Sequence, residues 1–347
     1  MRGSWHDTLP ARARPPALPS DPAVTCPVDW GSPRGVLVLI RNAPPKLAIC
    51  ISVFRPDRAL LSGLLAALDR EWPVILCIDG PTGTAIEPED LAILESDPRG
   101  YRILQSPRNL GIGTSLNRMA REAAQLGCEW VLFFDQDSAP PSDLPAQLLI
   151  AFARLNEAGH RPAVIGPAPV AAEGGQSKAP SYHPRAIPSP SSRYRAVDFV
   201  ITSGSLIQLS SFGEIGRFRQ EFRMDAIDVE WCFRAWAAGY SVWQVNDLKM
   251  LHRVGDGVIQ FGPVRFPQQS RSRMQSYVRS QFHLLRLAHI PLRWKLRTLV
   301  YVPLQIALFV ASSRGRRIAL GGTLLQAAMH GLAGTWDKQS ERHRDEP

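Results

Sequence analysis

The chain has 347 residues, 45% of them hydrophobic and 20% charged, enough for one large domain with an appendage or for two domains. Its formal charge of +9 comes almost wholly from arginine, since only Lys46, Lys178, Lys249, Lys295 and Lys338 are lysines. The basic residues are scattered apart from Arg314-Gly315-Arg316-Arg317, and no RRM, KH, zinc-finger or helix-turn-helix spacing occurs. This argues against nucleic acid and leaves anionic lipid or a phosphorylated small substrate as the natural partner. The five cysteines (26, 50, 77, 128 and 232) are odd in number, far apart and never spaced C-x-x-C, as expected of a reduced, cytosolic chain without structural zinc. No apolar signal-peptide core opens the sequence.

Residues 1–45 are rich in Pro and Arg with little periodicity beyond the apolar run Val36–Ile40, and read as a disordered tail. At Lys46 the pattern changes. Leu47–Val53 is a continuous apolar run, as a parallel strand buried on both faces requires. Leu60, Leu61, Leu64, Leu65 and Leu68 then follow helical spacing, with Asp57 placed to cap. Pro73–Asp79 is a second buried strand closing a βαβ unit. A Pro88-led helix and a strand over 101–105 follow. Asn109-Leu110-Gly111-Ile112-Gly113 opens another helix, with Leu116, Met119, Ala120, Ala123 and Ala124 as its apolar face and Gly127 as its stop.

Val131-Leu132-Phe133-Phe134 runs straight into Asp135-Gln136-Asp137-Ser138, and Pro140-Pro141 forbid continuation. On an extended backbone residues two apart share a face. Asp135 and Asp137 therefore either share one divalent cation, Mg²⁺ or Mn²⁺, or form an ordinary turn after a strand. Four strands alternating with helices predict an open, mostly parallel α/β sheet. Asp79, Asn109–Gly111 and Asp135/Asp137 each follow a strand, so the fold gathers them at the edge where such sheets bind ligands. The Gly-x-Gly at 111–113 lacks the third glycine of a dinucleotide fingerprint, and no P-loop occurs.

A helix is expected from Ser142 to about Ala158, a strand at Ala163–Pro167, a long loop over 171–195, and strand and turn over Val197–Ser205. In Met224-Asp225-Ala226-Ile227-Asp228-Val229-Glu230-Trp231-Cys232, Asp225 suits an N-cap with Asp228 three residues on, and Glu230 can pair with Arg234. Catalysis by this cluster is the competing reading. His252 reads either as structural or as a metal ligand. Residues 271–290 form an amphipathic helix with Arg on one side. Two uncharged runs follow, Thr298–Ser313, about 24 Å long at ~1.5 Å per residue, and Ile318–Trp336. They read as helices lying in a membrane interface, or as a helical subdomain packed on the core or on another subunit. The expected organisation is thus a tail (1–45), a catalytic domain (46–270), a helical region (271–337) and a polar tail (338–347).

Asn109-Leu110-Gly111-Ile112-Gly113 with Asn117, Phe133-Phe134-Asp135-Gln136-Asp137-Ser138, Ile201-Thr202-Ser203-Gly204-Ser205-Leu206, Met224–Arg234, Gly239-Tyr240 and His252-Arg253-Val254-Gly255-Asp256 occur in that order. Over 46–286 this series resembles the inverting family 2 glycosyltransferases, in particular their bacterial rhamnosyltransferase branch. The resemblance implies a GT-A fold and a metal-dependent transfer of L-rhamnose from dTDP-L-rhamnose to a lipid-linked or glycan acceptor. A UDP-sugar donor and a non-catalytic nucleotide-sugar-binding scaffold are the alternatives. It implies a donor site of Phe54, Arg55, Asp79, Asn109, Gly111, Asp135, Gln136 and Gly204. Asp137 is its main metal ligand, with Asp135 and His252 beside it. Asp228 is the implied general base, and Asp225, Glu230 and Trp231 support it or the acceptor. The chain departs from the branch at Ser52-Val53-Phe54-Arg55-Pro56, where Thr-Tyr-Asn-Pro is usual, and at Gly80-Pro81 after Asp79. The implied location is cytoplasmic, on the inner face of the cell membrane, with anionic lipid and a second copy of the chain as further partners.

Overall fold

A computed structural model of the chain describes residues 46–171, 180–252, 258–261, 264–267, 269–313, 315 and 317–335. Both expected tails, 1–45 and 338–347, and Arg253–Asp256 lie outside the described residues. From Lys46 onward the described residues belong to one compact unit.

The first half follows its apolar pattern closely. Strand β1 (Leu47–Val53), helix α1 (Arg58–Ala67) and strand β2 (Val74–Ile78) form the expected βαβ unit. Asp57 caps α1, its carboxylate accepting from the amides of Ala59 and Leu60. Helix α2 (Pro88–Ser96), strand β3 (Arg102–Gln105), helix α3 (Ile112–Gln125) and strand β4 (Trp130–Asp135) follow. Alternate residues of β1 feed opposite layers. Ala48 and Cys50 join one core, Leu47, Ile49, Ile51 and Val53 the other, so both faces of the strand are dry. Helix α3 buries Leu116, Met119, Ala120 and Ala123 as its spacing predicts, while Ala124 is exposed.

Helix α4 (Leu144–Glu157) starts two residues later than expected, with Asp143 at its N-cap and Pro145 in its first turn. Strands β5 (Pro162–Ala171), β6 (Tyr194–Ala196) and β7 (Ser205–Gln208), helices α5 (Leu209–Ile215) and α6 (Ile227–Ala237), and the long strand β8 (Ser241–His252) complete one eight-stranded sheet. Its order is β3-β2-β1-β4-β7-β5-β8-β6, with β7 wedged antiparallel between β4 and β5 and β6 antiparallel to β8. The other pairings are parallel. Val197–Ile201 is not the expected strand. Its apolar side chains pack as irregular chain, and Val197 donates its amide to the Val242 carbonyl beyond the end of β6. Strands β9 (Val258–Phe261) and β10 (Val264–Pro267) pair as a separate antiparallel hairpin.

Three helices end the described chain: α7 (Arg271–Leu284), α8 (Leu292–Ser312) and α9 (Arg317–Ala333). They share a small core of their own around Met274, Val278, Val302, Phe309 and Leu324. They are also bolted to the sheet domain. Trp294 meets Phe199 and Phe233 edge-on at 5.7 and 5.2 Å between ring centroids. Arg293 pairs with the buried Asp198, which also binds Arg185 at 2.8 Å. Helix α8 begins six residues before the apolar run seen in the sequence. At 21 residues it is long and apolar enough to cross a membrane by length and composition. One of its faces nevertheless carries Trp294, Thr298, Val302 and Phe309 inward, while Leu292, Leu296, Leu299, Val300 and Leu304 stand exposed on the other.

Candidate functional site

The strand order reverses across β1, with β2 on one side and β4 on the other, and crevices open at such switch points beyond the strand ends. A cleft of about 520 Å³ lies there. Phe54 after β1, Asp79 after β2 and Asp135, Gln136 and Asp137 at the end of β4 line one wall. Asp225 and Asp228 at the start of α6, His252 at the end of β8 and Arg273 in the first turn of α7 line the other.

The motif preceding α3 does structural work toward this cleft. Asp79 is buried, and its two carboxylate oxygens accept from the amides of Leu110 and Gly111 at 2.7 and 2.8 Å, fixing that loop. Gly111 has φ 90°, and a Cβ there would lie 2.8 Å from the Arg223 carbonyl. A Cβ on Gly113 would lie 2.6 Å from Cδ1 of Ile227, the first residue of α6. Asn117 accepts from the Phe218 amide at 3.0 Å and donates to the Phe218 carbonyl at 2.8 Å. All three therefore position the segment that delivers Asp225 and Asp228, from about a hundred residues away. Arg223 returns the contact by donating to the Asn109 carbonyl at 2.7 Å.

The acidic turn after β4 is braced similarly. Ser203 and Ser138 share a 2.6 Å hydroxyl hydrogen bond, and the Gly204 amide donates to the Phe133 carbonyl at 2.7 Å. The Gln136 amide clasps the backbone of Phe54, accepting from its N–H at 2.7 Å and donating to its carbonyl at 3.0 Å. Burial first, then the charges of Asp137 and Asp228, pushes the Asp135 carboxyl up to about 7. Burial likewise lifts Asp228 to about 6, against the lowering effect of the Val229 amide that it accepts from at 2.8 Å. The His252 imidazole is shifted down by burial, with Asp137 opposing and Arg273 assisting.

Asp135, Asp137 and His252 thus face one cleft with an excess of half-buried negative charge. That chemistry fits a hard divalent cation, which needs only one or two carboxylates when phosphate and water complete its shell. Among the described residues no group of three His, Cys, Asp or Glu side chains forms a ready-made metal site.

Several expected site residues stand elsewhere. Trp231 is 1% exposed, packs on Phe212 and Phe218, and donates its indole N–H to the Gly216 carbonyl at 2.8 Å; it is core. Glu230 is wholly buried, because α6 turns it away from the cleft toward Arg234 at 2.8 Å, His289 at 2.9 Å and Arg219 at 3.2 Å. Burial pushes its carboxyl up, but hydrogen bonds from His289 and Arg234 outweigh this and hold it below the usual range. Gly204 sits behind the cleft with φ 79°, where a Cβ would strike Met250. Arg55 points along the rim, donating to the Thr84 carbonyl at 3.0 Å. Asp225 does not cap α6. The N-cap is Ala226, in a left-handed conformation at φ 68° with no side-chain cap, and Asp225 faces Arg273 at 3.8 Å. Among the described residues Ala226 and Arg55 are the non-glycine residues of positive φ; Ala226 lines the cleft and Arg55 follows Phe54, which also lines it. Thr202, Ser203, Arg223 and Arg273 line the cleft without having been expected there. Serine and threonine beside a glycine read as turn residues. Arg273 lies 45 residues beyond Asp228, with no spacing signal to join them.

No protein-family model matches the chain. It is 25% identical over 273 residues to the dTDP-rhamnosyl transferase RfbF of Shigella flexneri, covering 77% of this chain and 88% of that protein. Among solved structures, it resembles residues 1–349 of S. aureus TarS (15% identity, 83% of this chain, 81% of that one, TM-score 0.50). It also resembles the mannosyltransferase PcManGT of Pyrobaculum calidifontis, solved with GDP-Man and Mn²⁺ (14% identity, 85% and 88%, TM-score 0.52). The fold of the chain is GT-A, with three helices appended at its C-terminal end.

Proposed function

We propose that the chain is a metal-dependent inverting glycosyltransferase of the family 2 type, moving L-rhamnose from dTDP-L-rhamnose to a lipid-linked or glycan hydroxyl. The observation that carries this is one cleft that gathers Asp135, Asp137, His252 and Asp228. The similarity to the Shigella transferase supports the donor assignment.

In this reading, Asp135, Asp137 and His252 are the residues that would hold Mg²⁺ or Mn²⁺, which when bound offsets charge on the departing diphosphate. Among the described residues Asp228 pairs with no cation, and a carboxylate titrating at about 6 is ionised yet basic enough near neutral pH to accept a proton. It takes the proton of the acceptor hydroxyl as that oxygen attacks the anomeric carbon opposite the leaving group. One displacement inverts that centre and needs no covalent sugar–enzyme intermediate. Arg273 and Arg223 line the cleft as the fixed positive charges near the anionic donor. Phe54, 36% exposed and clasped by Gln136, offers a ring at the cleft mouth for the nucleotide base.

We read the enzyme as cytoplasmic and peripheral to the inner face of the cell membrane. The exposed leucines of α8, together with Ile318 and Leu325 of α9, support this, as do Arg293 and Arg297 beside them. The test is release of nucleoside diphosphate from dTDP-L-rhamnose and from UDP-sugars with Mn²⁺. Turnover of dTDP-L-rhamnose above all others is expected. A preference for a UDP-sugar changes the donor, and turnover of none removes the enzymatic reading in favour of a scaffold.

A further inference from the structure

A second cavity, of about 430 Å³, lies on the far side of the start of α6. Asp225, Ala226 and Arg273 line both spaces, Ile227 and Asp228 only the cleft, and Val229 only the second cavity. The turn that carries the proposed base is therefore the ridge between them. The remaining walls come from Phe199, from the chain at 180–183, from Gln269 and from the C-terminal helices, with Tyr277 and Gln281 on α7 and Trp294, Gln305 and Phe309 on α8.

The lining has a specific chemistry. Four aromatic residues offer apolar ring surface, and glutamine amides offer paired donors and acceptors. Among the described residues, Trp294 is 6% exposed and its indole N–H has no hydrogen-bond acceptor, while the side-chain amide oxygen of Gln269 has no donor. A buried donor without an acceptor is destabilising, and a ligand that supplies one relieves that cost. The Tyr277 hydroxyl already donates to Gln305 at 2.8 Å, so that pair is held in place before anything binds. Aromatic faces with hydrogen-bonding groups at both polarities, the charged Asp225, Arg273 and Arg297 among them, match a pyranose, whose C–H faces are apolar and whose hydroxyls both donate and accept. The volume lies within the range of small-molecule sites, about 300–1,000 Å³.

We propose that this second cavity holds the sugar of the acceptor, so that Tyr277, Trp294 and Gln305 of the C-terminal helices select which glycan is extended across the Asp225–Val229 ridge. The proposal rests on the glycosyl-transfer reading above. It gives the helices a task in recognition besides any contact with lipid. Arg297, which also lines the cavity and stacks on Trp294 at 5.2 Å, stands next to the exposed leucines of α8. A sugar entering from a lipid surface would reach the ridge along that side.

The test is saturation-transfer NMR of the full chain with methyl α-L-rhamnoside, methyl N-acetyl-β-D-glucosaminide and methyl β-D-galactoside, each with and without saturating dTDP and Mn²⁺. At least one glycoside should give a signal that survives the nucleotide. Trp294→Phe, which keeps a ring but removes the N–H, and Gln305→Leu should each cut that signal at least fivefold. The thermal shift produced by dTDP and Mn²⁺ should be the same in both variants as in the wild type, which also shows that they fold. A signal from none of the three, one abolished by dTDP, or one indifferent to both substitutions overturns the proposal. Absence of any shift with dTDP or UDP instead removes the transferase reading, whatever the glycosides do.

Discussion

The two walls of the cleft are built in opposite ways. The donor wall hangs from consecutive parallel strands, and each of its acids sits where its own strand ends, so local sequence is enough to put it there. The wall carrying Asp228 is assembled from afar. Its backbone is set by Gly111, Gly113 and Asn117 of α3, its helix is anchored by Glu230 to Arg219, Arg234 and His289, and Arg273 arrives from α7. On the proposed reading, change elsewhere in the chain should disturb Asp228 more than the strand-end acids.

The largest effect should come from the base itself. Asp228→Asn keeps the shape and loses the proton acceptor, so transfer should fall about 10²–10⁴-fold while nucleotide binding is kept, as turnover and titration on the same protein will show. Next is the anchor two residues on. Glu230→Ala leaves the guanidinium groups of Arg234 and Arg219 and the ring of His289 without their shared buried partner, and should cost about 3–5 kcal/mol in urea unfolding. On the proposed reading, the same turn of helix holds one acid whose loss should lower the rate and one whose loss should lower stability.

Gly113→Ala probes coupling between the walls. Its new methyl meets Ile227 and should cost about 1–3 kcal/mol by overpacking. Transfer should fall more than nucleotide affinity does, because the displaced element carries Asp228. Equal losses in both would mean that the walls move as one.

The pH dependence sharpens the contrast. Asp228 must be ionised to act, so the rate should fall about tenfold per unit as pH drops below about 6. Stability runs the other way. The folded carboxyl holds its proton more tightly than the unfolded one at 3.8, so its contribution is full below that value and is lost as pH rises through about 6. Asp228→Asn should therefore melt a few degrees above the wild type at pH 8 and at the same temperature near pH 3.5. The smallest effect belongs to the exposed face of α8. Val300, 74% exposed, replaced by Ser should change stability by less than about 0.5 kcal/mol yet weaken binding to vesicles of phosphatidylglycerol.

This contrast also explains what could be read from the sequence. The strands from Leu47 to Asp135 were legible because their apolar runs are bounded by Pro, Asp and Gly, and both faces of the sheet are buried. The Asp135/Asp137 turn was legible for the same reason. The Glu230–Arg234 pair was legible from its i, i+4 spacing, but the burial of Glu230 and Trp231 away from the cleft was not, since a helix places neighbours on different faces and the sequence does not say which face is lined by solvent. Capping by Asp225 failed because the turn before α6 is held by α3 and left Ala226, not Asp225, at the helix start. Arg273 and the second cavity depend on how the C-terminal helices dock, and no local pattern encodes that.

The central claim, a metal–diphosphate donor site at the end of β4, is tested most directly by thermal unfolding with dTDP and Mn²⁺, in the wild type and in Asp137→Ala. A ligand that binds only the folded chain stabilises it by about 2.7 kcal/mol at a hundred times its Kd. The account predicts that shift in the wild type when metal and nucleotide are both present, and its loss in Asp137→Ala. An equal shift in the two proteins would contradict it.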